Sequence, residues 1–228
     1  MRVLILAVDT CSPAGSVALL DNTKLLGEVN LDSGMNHSER LLPAVEFLLQ
    51  TSGIKIREIG GYALAVGPGS FTGIRIGMST VKAFAFSQKK AVAPVSNLEA
   101  LALKLRHPQC RLLCPLLEAK KGEIYATLFE VKRRRLLETI PQGVYKPDAF
   151  FSLLPSHRVI SFIGSGADVF RDKISAYFKD KARYSLRSHF IAYEVGLLGY
   201  EIFCKQKGVD FREVEPLYFR KSQAEEKH

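Results

Sequence analysis

The chain has 228 residues, 47% of them apolar, with 32 Lys and Arg against 23 Asp and Glu and a net charge of +9. That balance excludes a disordered or fibrous polypeptide and supplies enough material for one large domain or two small ones. No stretch approaches the ~18 unbroken apolar residues of a membrane span, and Cys11, Cys110, Cys114 and Cys204 form no CxxC pair and no disulfide-like framework, so buried thiols in a reducing compartment are expected.

The run from Met1 to Val8 looks superficially like a signal peptide, but it is short, Asp9 ends it, and its β-branched residues suit a buried first strand. The expected location is the cytoplasm. Strands are predicted near 2–9, 15–20 and 24–31, with Pro13-Ala14-Gly15 and Asp21-Asn22 as turns between them. A helix follows near 37–51. Asn36 and Glu39 fit a capping box, Leu41, Leu42, Val45, Leu48 and Leu49 form an apolar stripe, and Pro43 should strain the helix or shift its start.

An apolar strand at 61–66 then leads into Ala65-Val66-Gly67-Pro68-Gly69-Ser70-Phe71-Thr72-Gly73-Ile74-Arg75-Ile76-Gly77, which opens a helix over 70–87. The glycines permit φ > 0 and close backbone approach, Pro68 stiffens the turn, and Ser70 fits an N-cap. Such a turn aims amides at one spot, as at phosphate sites. No Lys follows the glycines before Lys82, the Gly69–Gly73 gap departs from Gly-x-Gly-x-x-Gly, and Gly-x-Ser-x-Gly is absent. Phosphate contact and a tight turn needed only for packing both stand. Apolar residues populate several faces of the 70–87 helix, from Ile74 through Met78 and Val81 to Phe86. Gly73 and Gly77, with Ser79 and Ala83, would let a partner helix approach, rimmed by Arg75 and Lys82. Burial between two halves of the same chain explains that pattern equally.

A strand at 91–95 and a helix near 97–105 follow, and the second half restarts with strands over Arg111–Leu117, Glu123–Val131 and Leu136–Gln142. Next come a helix near 147–154, a strand at 158–163, a helix near 166–178, and a helix near 189–207. In the last, Phe190, Ile191, Val195, Leu198, Ile202 and Phe203 face inward, Lys205 and Lys207 occupy the final turn, and Gly208 can cap it. The order of three strands, helix, strand, helix appears twice, which predicts two related α/β halves meeting near 100–110.

Residues 101–228 carry 23 Lys/Arg against 15 Asp/Glu, whereas residues 1–100 carry 9 against 8; Lys132-Arg133-Arg134-Arg135 is the densest cluster. The bias favours a polyanion such as RNA, or else marks a solvated hairpin, and no aromatic residue interleaves it for base stacking. His37, His107, His157, His189 and His228 include no i,i+4 pair of a metal site. Asp9, at a strand end, suits a phosphate-bound metal or a capping role. No local pattern joins nucleophile, base and orienting group.

The segments Ile5-Leu6-Ala7-Val8-Asp9-Thr10, His37-Ser38-Glu39-Arg40-Leu41-Leu42-Pro43 and Gly67 to Gly77 resemble the bacterial TsaB (YeaZ) family. So do Ser96 to Leu101, Glu118 to Tyr125 and Pro216 to Arg220, in order along nearly the whole chain. The resemblance implies an α/β fold of two related halves of the actin/Hsp70-like ATPase (ribonuclease H-like) superfold with a degenerate nucleotide site. It also implies a non-catalytic subunit of the machinery that makes threonylcarbamoyladenosine beside the tRNA anticodon. Partners would be a TsaD-like transferase, a TsaE-like ATPase and, when alone, a second copy, with tRNA reached through the complex and no membrane. ATP and metal would belong to the partner subunits. Cys11 stands where a working phosphate loop of the superfamily has Gly, Lys120-Lys121 where the family has an arginine-containing pair, and the absent histidine pair argues against peptidase activity.

The expected organisation is an N-terminal half over 1–105 and a basic C-terminal half over 106–228. The expected partner interface holds Leu41, Leu42, Val45, Gly73, Arg75, Gly77, Met78, Val81 and Lys82, on the helices at 37–51 and 70–87. Asp9, Gly69 and Ser70 are the nucleotide candidates, and no catalytic or metal residue is assigned. The alternative is a small ATP-dependent enzyme using Asp9 and the Gly67–Gly73 turn.

Overall fold

Each unit is built on a sheet whose middle strand is a nearly continuous apolar run, as a strand covered on both faces tends to be. The structure is a computed structural model that describes residues 3–107, 109–133, 135–206 and 208–219. Arg2, Arg134, Lys207, Arg220 and His228 lie outside the described residues. In the first unit, β1 (Leu4–Asp9) is wholly buried, pairs antiparallel with β2 (Gly15–Asp21) and parallel with β4 (Gly61–Ala65). With β3 (Lys24–Leu31) and β5 (Val92–Val95), the strand order is β3-β2-β1-β4-β5.

Helices α1 (His37–Ser52) and α2 (Phe71–Gln88) pack on one face of this sheet and α7 (Ala192–Gln206) on the other. Neighbouring positions on β4 show the division: Leu64 lies beside Gly77 of α2, whereas Ala63 lies beside Gly199 of α7. Successive strand residues point to opposite faces. Ile191, Val195 and Leu198 are buried on or beside α7. Gly53, at φ +66°, ends α1 and donates to the carbonyls of Gln50 and Leu49, as a left-handed helix cap does.

The second unit repeats the plan. Strands β6 (Leu112–Ala119), β7 (Glu123–Lys132), β8 (Arg135–Tyr145), β9 (Ile160–Ile163) and β10 (Ala182–Tyr184) lie in the order β8-β7-β6-β9-β10. As in the first sheet, three strands are antiparallel and the next two run parallel to the middle one. Phe150 and Phe151 of α4 (Pro147–Leu153), with Phe162 and Phe178, fill its core. The doubled element order in the sequence is thus a doubled strand order in space.

Four expectations are corrected. The units are not 1–105 and 106–228: among the described residues the first comprises those up to Asn97 together with Phe190–Tyr218, and the second Leu98–His189 with Phe219. Helix α7 is contiguous with the second half in sequence, but its apolar stripe is covered by β1, β2, β4 and β5. The helix expected over 166–178 is two, α5 (Ser165–Val169) and α6 (Arg171–Phe178), broken at Phe170, whose ring packs on the second core. Asn36 makes no side-chain cap; its carbonyl accepts from Glu39 N at 3.1 Å. Pro43 lies inside α1, on its exposed side, without moving the helix start from His37.

Candidate functional site

Asp9 ends β1, and the turn after it folds onto the glycine segment between β4 and α2. Ser70 N donates to Cys11 O at 2.6 Å, Thr10 Oγ1 donates to Gly73 O at 2.7 Å, and the Cys11 thiol donates to Ala65 O at 3.3 Å. Ser70 caps α2 as expected, its hydroxyl accepting from Gly73 N at 3.2 Å. A Cβ on Gly69 would collide with Cys11 O, one on Gly73 with Thr10 O, and one on Gly77 with Thr10 Oγ1. Gly67 takes φ +113° against Leu217 O. The glycines therefore admit the chain's own carbonyls and hydroxyl. Of the two readings of this turn, close packing is what the geometry builds, and Asp9 and Gly69 belong to that packing.

Asp9 is 1% exposed, and its Oδ1 accepts from Cys11 N at 2.9 Å. Burial raises its carboxyl pKa to about 6, opposed by hydrogen bonds from Cys11 and Asn97. Burial likewise pushes the Cys11 thiol well up, with the Asp9 charge adding to it, so this cysteine is a packed thiol rather than a nucleophile. Among the described residues, no group of three or more His, Cys, Asp or Glu is placed to hold a metal ion.

The same turn is clamped by α1. His37 Nε2 donates to Ser12 O at 2.7 Å, while Arg40 Nη2 approaches His37 Nδ1 at 3.1 Å and also donates to Pro13 O. Arg40 Nη1 donates to Leu31 O at 3.1 Å. Partial burial lowers the His37 pKa, opposed by the hydrogen bond to Ser12 O and helped by the Arg40 charge, and the contact with that carbonyl places a proton on Nε2. Arg40 is a buried charge that the sequence reading did not single out; its i,i+3 spacing from His37 was the available signal.

Beside this clamp, α1 and α2 border a groove of about 580 Å³ lined by residues that include Leu41, Leu42, Phe71, Arg75, Ile76 and Ser79. Arg75 lies 3.8 Å over the Phe71 ring, Phe71 stacks on Tyr218 at 4.8 Å, and Arg75 Nε donates to the Tyr218 hydroxyl at 3.3 Å. The structure divides the expected interface residues. Leu42 and Arg75 are exposed and Lys82 is half-buried. Leu41, Val45, Met78 and Val81 instead belong to the core of the first unit, and Gly73 and Gly77 face Thr10 rather than a partner helix. The sheet, not a second protein, covers that side of both helices. Phe71 and Tyr218 were missed because Tyr218 reaches α2 from the far end of the chain.

The family model described as TsaD, tRNA N6-adenosine threonylcarbamoyltransferase, matches residues 31–227. Across nearly its whole length, the chain is 30% identical to the tRNA threonylcarbamoyladenosine biosynthesis protein TsaB of Bacillus subtilis, covering 98% of this chain and 96% of that one. The chain belongs to the TsaB family. YeaZ from Pseudomonas aeruginosa superposes with a TM-score of 0.82 at 24% identity, over 95% of this chain and 99% of that one. Component A of the Acidaminococcus fermentans (R)-2-hydroxyglutaryl-CoA dehydratase superposes at 0.53 with 9% identity, over 89% of this chain and all of that one. With the doubled strand order, these likenesses place this TsaB-family chain in the α/β superfold of the actin/Hsp70-like ATPases. Among the described residues, no helix is long and apolar enough to cross a membrane.

Proposed function

We propose that this TsaB-family chain is a non-catalytic subunit in tRNA threonylcarbamoyladenosine biosynthesis, docking through the outer face of α1 and α2 onto a TsaD-like transferase. Alone, it pairs with a second copy through the same face. A TsaE-like ATPase joins the assembly, ATP and metal sit on the partners, and tRNA is reached through the complex.

The observation that carries this reading is the groove between α1 and α2. Leu42 is 52% exposed at its edge, and Arg75 is held beside it by Phe71 and Tyr218. An apolar groove with a positioned guanidinium at its rim is the anatomy of a protein interface. The packed glycine turn and the buried Asp9 favour this over a nucleotide-using enzyme, because the space beside Gly69 is occupied by Cys11.

Light scattering with size exclusion tests it, on the chain alone and mixed with a TsaD-like transferase. Leu42→Glu keeps the fold, because position 42 is exposed, and puts a charge in the interface. The loss of about 3 kcal/mol or more corresponds to binding weakened at least about 100-fold. Equal association by wild type and variant would sink the proposal, as would threonylcarbamoyl transfer by the purified chain alone.

A further inference from the structure

In the second unit, the loop after α3 (Asn97–Leu105) meets the β7–β8 hairpin around a hollow of about 1030 Å³. Arg106, His107, Cys110, Arg111, Lys132 and Arg133 line it with Val131. Two separate stretches of chain supply these cations, and Val131 N donating to Arg111 O at 2.8 Å pins the stretches together. All four Arg and Lys side chains are exposed, and among the described residues no carboxylate lines the hollow. Glu130 lies next to Val131 in sequence, but its oxygens are held by Lys132 at 2.8 Å and Arg158 at 2.9 Å. That single negative charge between two cations leaves the neighbourhood positive.

We propose that this hollow binds the phosphodiester backbone of RNA, tRNA in the setting of the function proposed above, on which the inference rests. Guanidinium forks match phosphate oxygens in pairs. Among the described residues no Phe, Tyr or Trp lines the hollow and His107 is the one ring there, so the contact positions RNA chiefly by charge. Stable seating on an anionic membrane would call for apolar anchors beside the charges, and among the described residues half-buried Val131 is the one aliphatic side chain in the lining. The wider charge distribution steers a polyanion to the same part of the chain: residues 101–228 hold 23 Lys/Arg against 15 Asp/Glu, and residues 1–100 only 9 against 8.

Fluorescence anisotropy of labelled, unmodified tRNA against the full chain, between 50 and 200 mM KCl, tests the site (the range over which phosphate contacts reveal themselves, roughly). Arg111→Ala with Arg133→Ala should weaken binding about tenfold and reduce the slope of log affinity against log salt by about 2, one for each phosphate contact removed. Lys24→Ala with Lys55→Ala, in the first unit, should leave both unchanged, and thermal melts confirm that each variant is folded. Wild-type affinity and slope in the Arg111/Arg133 variant would overturn the proposal. So would no binding of tRNA by wild type, or binding to phosphatidylglycerol vesicles instead of tRNA. Co-elution with a TsaD-like transferase separates this from the docking reading. The Arg111/Arg133 variant should still co-elute, and Leu42→Glu should still bind tRNA. Loss of docking with the salt effect intact would leave the RNA site standing.

Discussion

Asp9 concentrates the physical conflict of the first unit into one side chain. It ends a wholly buried strand, is answered by an amide from Cys11 and a side-chain bond from Asn97, and has its carboxyl pKa raised to about 6 by burial. An unfolded aspartate titrates near 3.8, so the folded chain holds this proton more tightly than the unfolded chain. The contribution to stability is therefore fully present below about pH 4 and is lost as the pH rises through about 6, a swing of up to about 3 kcal/mol. Asp9→Asn keeps the acceptor for Cys11 N and removes the titration. Its melting temperature should change less between pH 5 and pH 8 than that of wild type, and at pH 8 it should equal or exceed it. Parallel pH profiles for the two proteins would show that Asp9 does not carry this term. The sequence made Asp9 legible as the end of a strand and the glycines as points of close approach. Which atoms they approach was not legible, because Thr10 and Cys11 lie some sixty residues before Gly69 and Gly73 in the chain.

At the scale of elements, amphipathic period located the helices well, but period alone does not say what covers each face. Helix α2 shows the difficulty. Ile74, Met78 and Val81 are covered by the first unit, whereas Phe86 on the same helix is 69% exposed. An apolar residue on α2 was therefore no guide to an interface, and the face of α1 and α2 left exposed was identifiable only once the sheet had claimed the other side. The two substitutions that look alike in sequence should accordingly behave differently. Val81 is fully buried, and Val81→Glu places an unpartnered charge in the core at a cost of several kcal/mol, comparable to the whole stability of a typical domain. It should yield unfolded or aggregated protein by circular dichroism, whereas Leu42→Glu should melt within a few degrees of wild type. A well-folded Val81→Glu variant would mean that α2 lies on the sheet in another rotation. The elements missed were those with little periodic signal: β10 has three residues, Ala182 to Tyr184, after a run of charges, and the break at Phe170 separates two helices of only five and eight residues.

At the scale of the whole chain, the doubled order β3-β2-β1-β4-β5 and β8-β7-β6-β9-β10 was foreshadowed by element order, but the membership of α7 was not. Sequence proximity assigned α7 to the second half; burial assigns it to the first sheet, where Ile191, Val195 and Leu198 close the face opposite α1 and α2. Without it, Ala63 and its neighbours on β1, β4 and β5 would meet water. Each aliphatic side chain so exposed forgoes about 1.5–3 kcal/mol, and three such residues approach the net stability of a small domain. A fragment of residues 1–105, ended at the boundary that the sequence suggested, should therefore be soluble only as an unfolded or associated species. Residues 1–97 joined through a flexible Gly/Ser linker to residues 190–218 restore the missing layer and should fold. The measurement is the dispersion of amide proton shifts together with a cooperative thermal transition. A folded, monomeric 1–105 fragment would show that the first sheet needs no cover from α7. Failure of both fragments would show that the first unit requires the rest of the chain to fold.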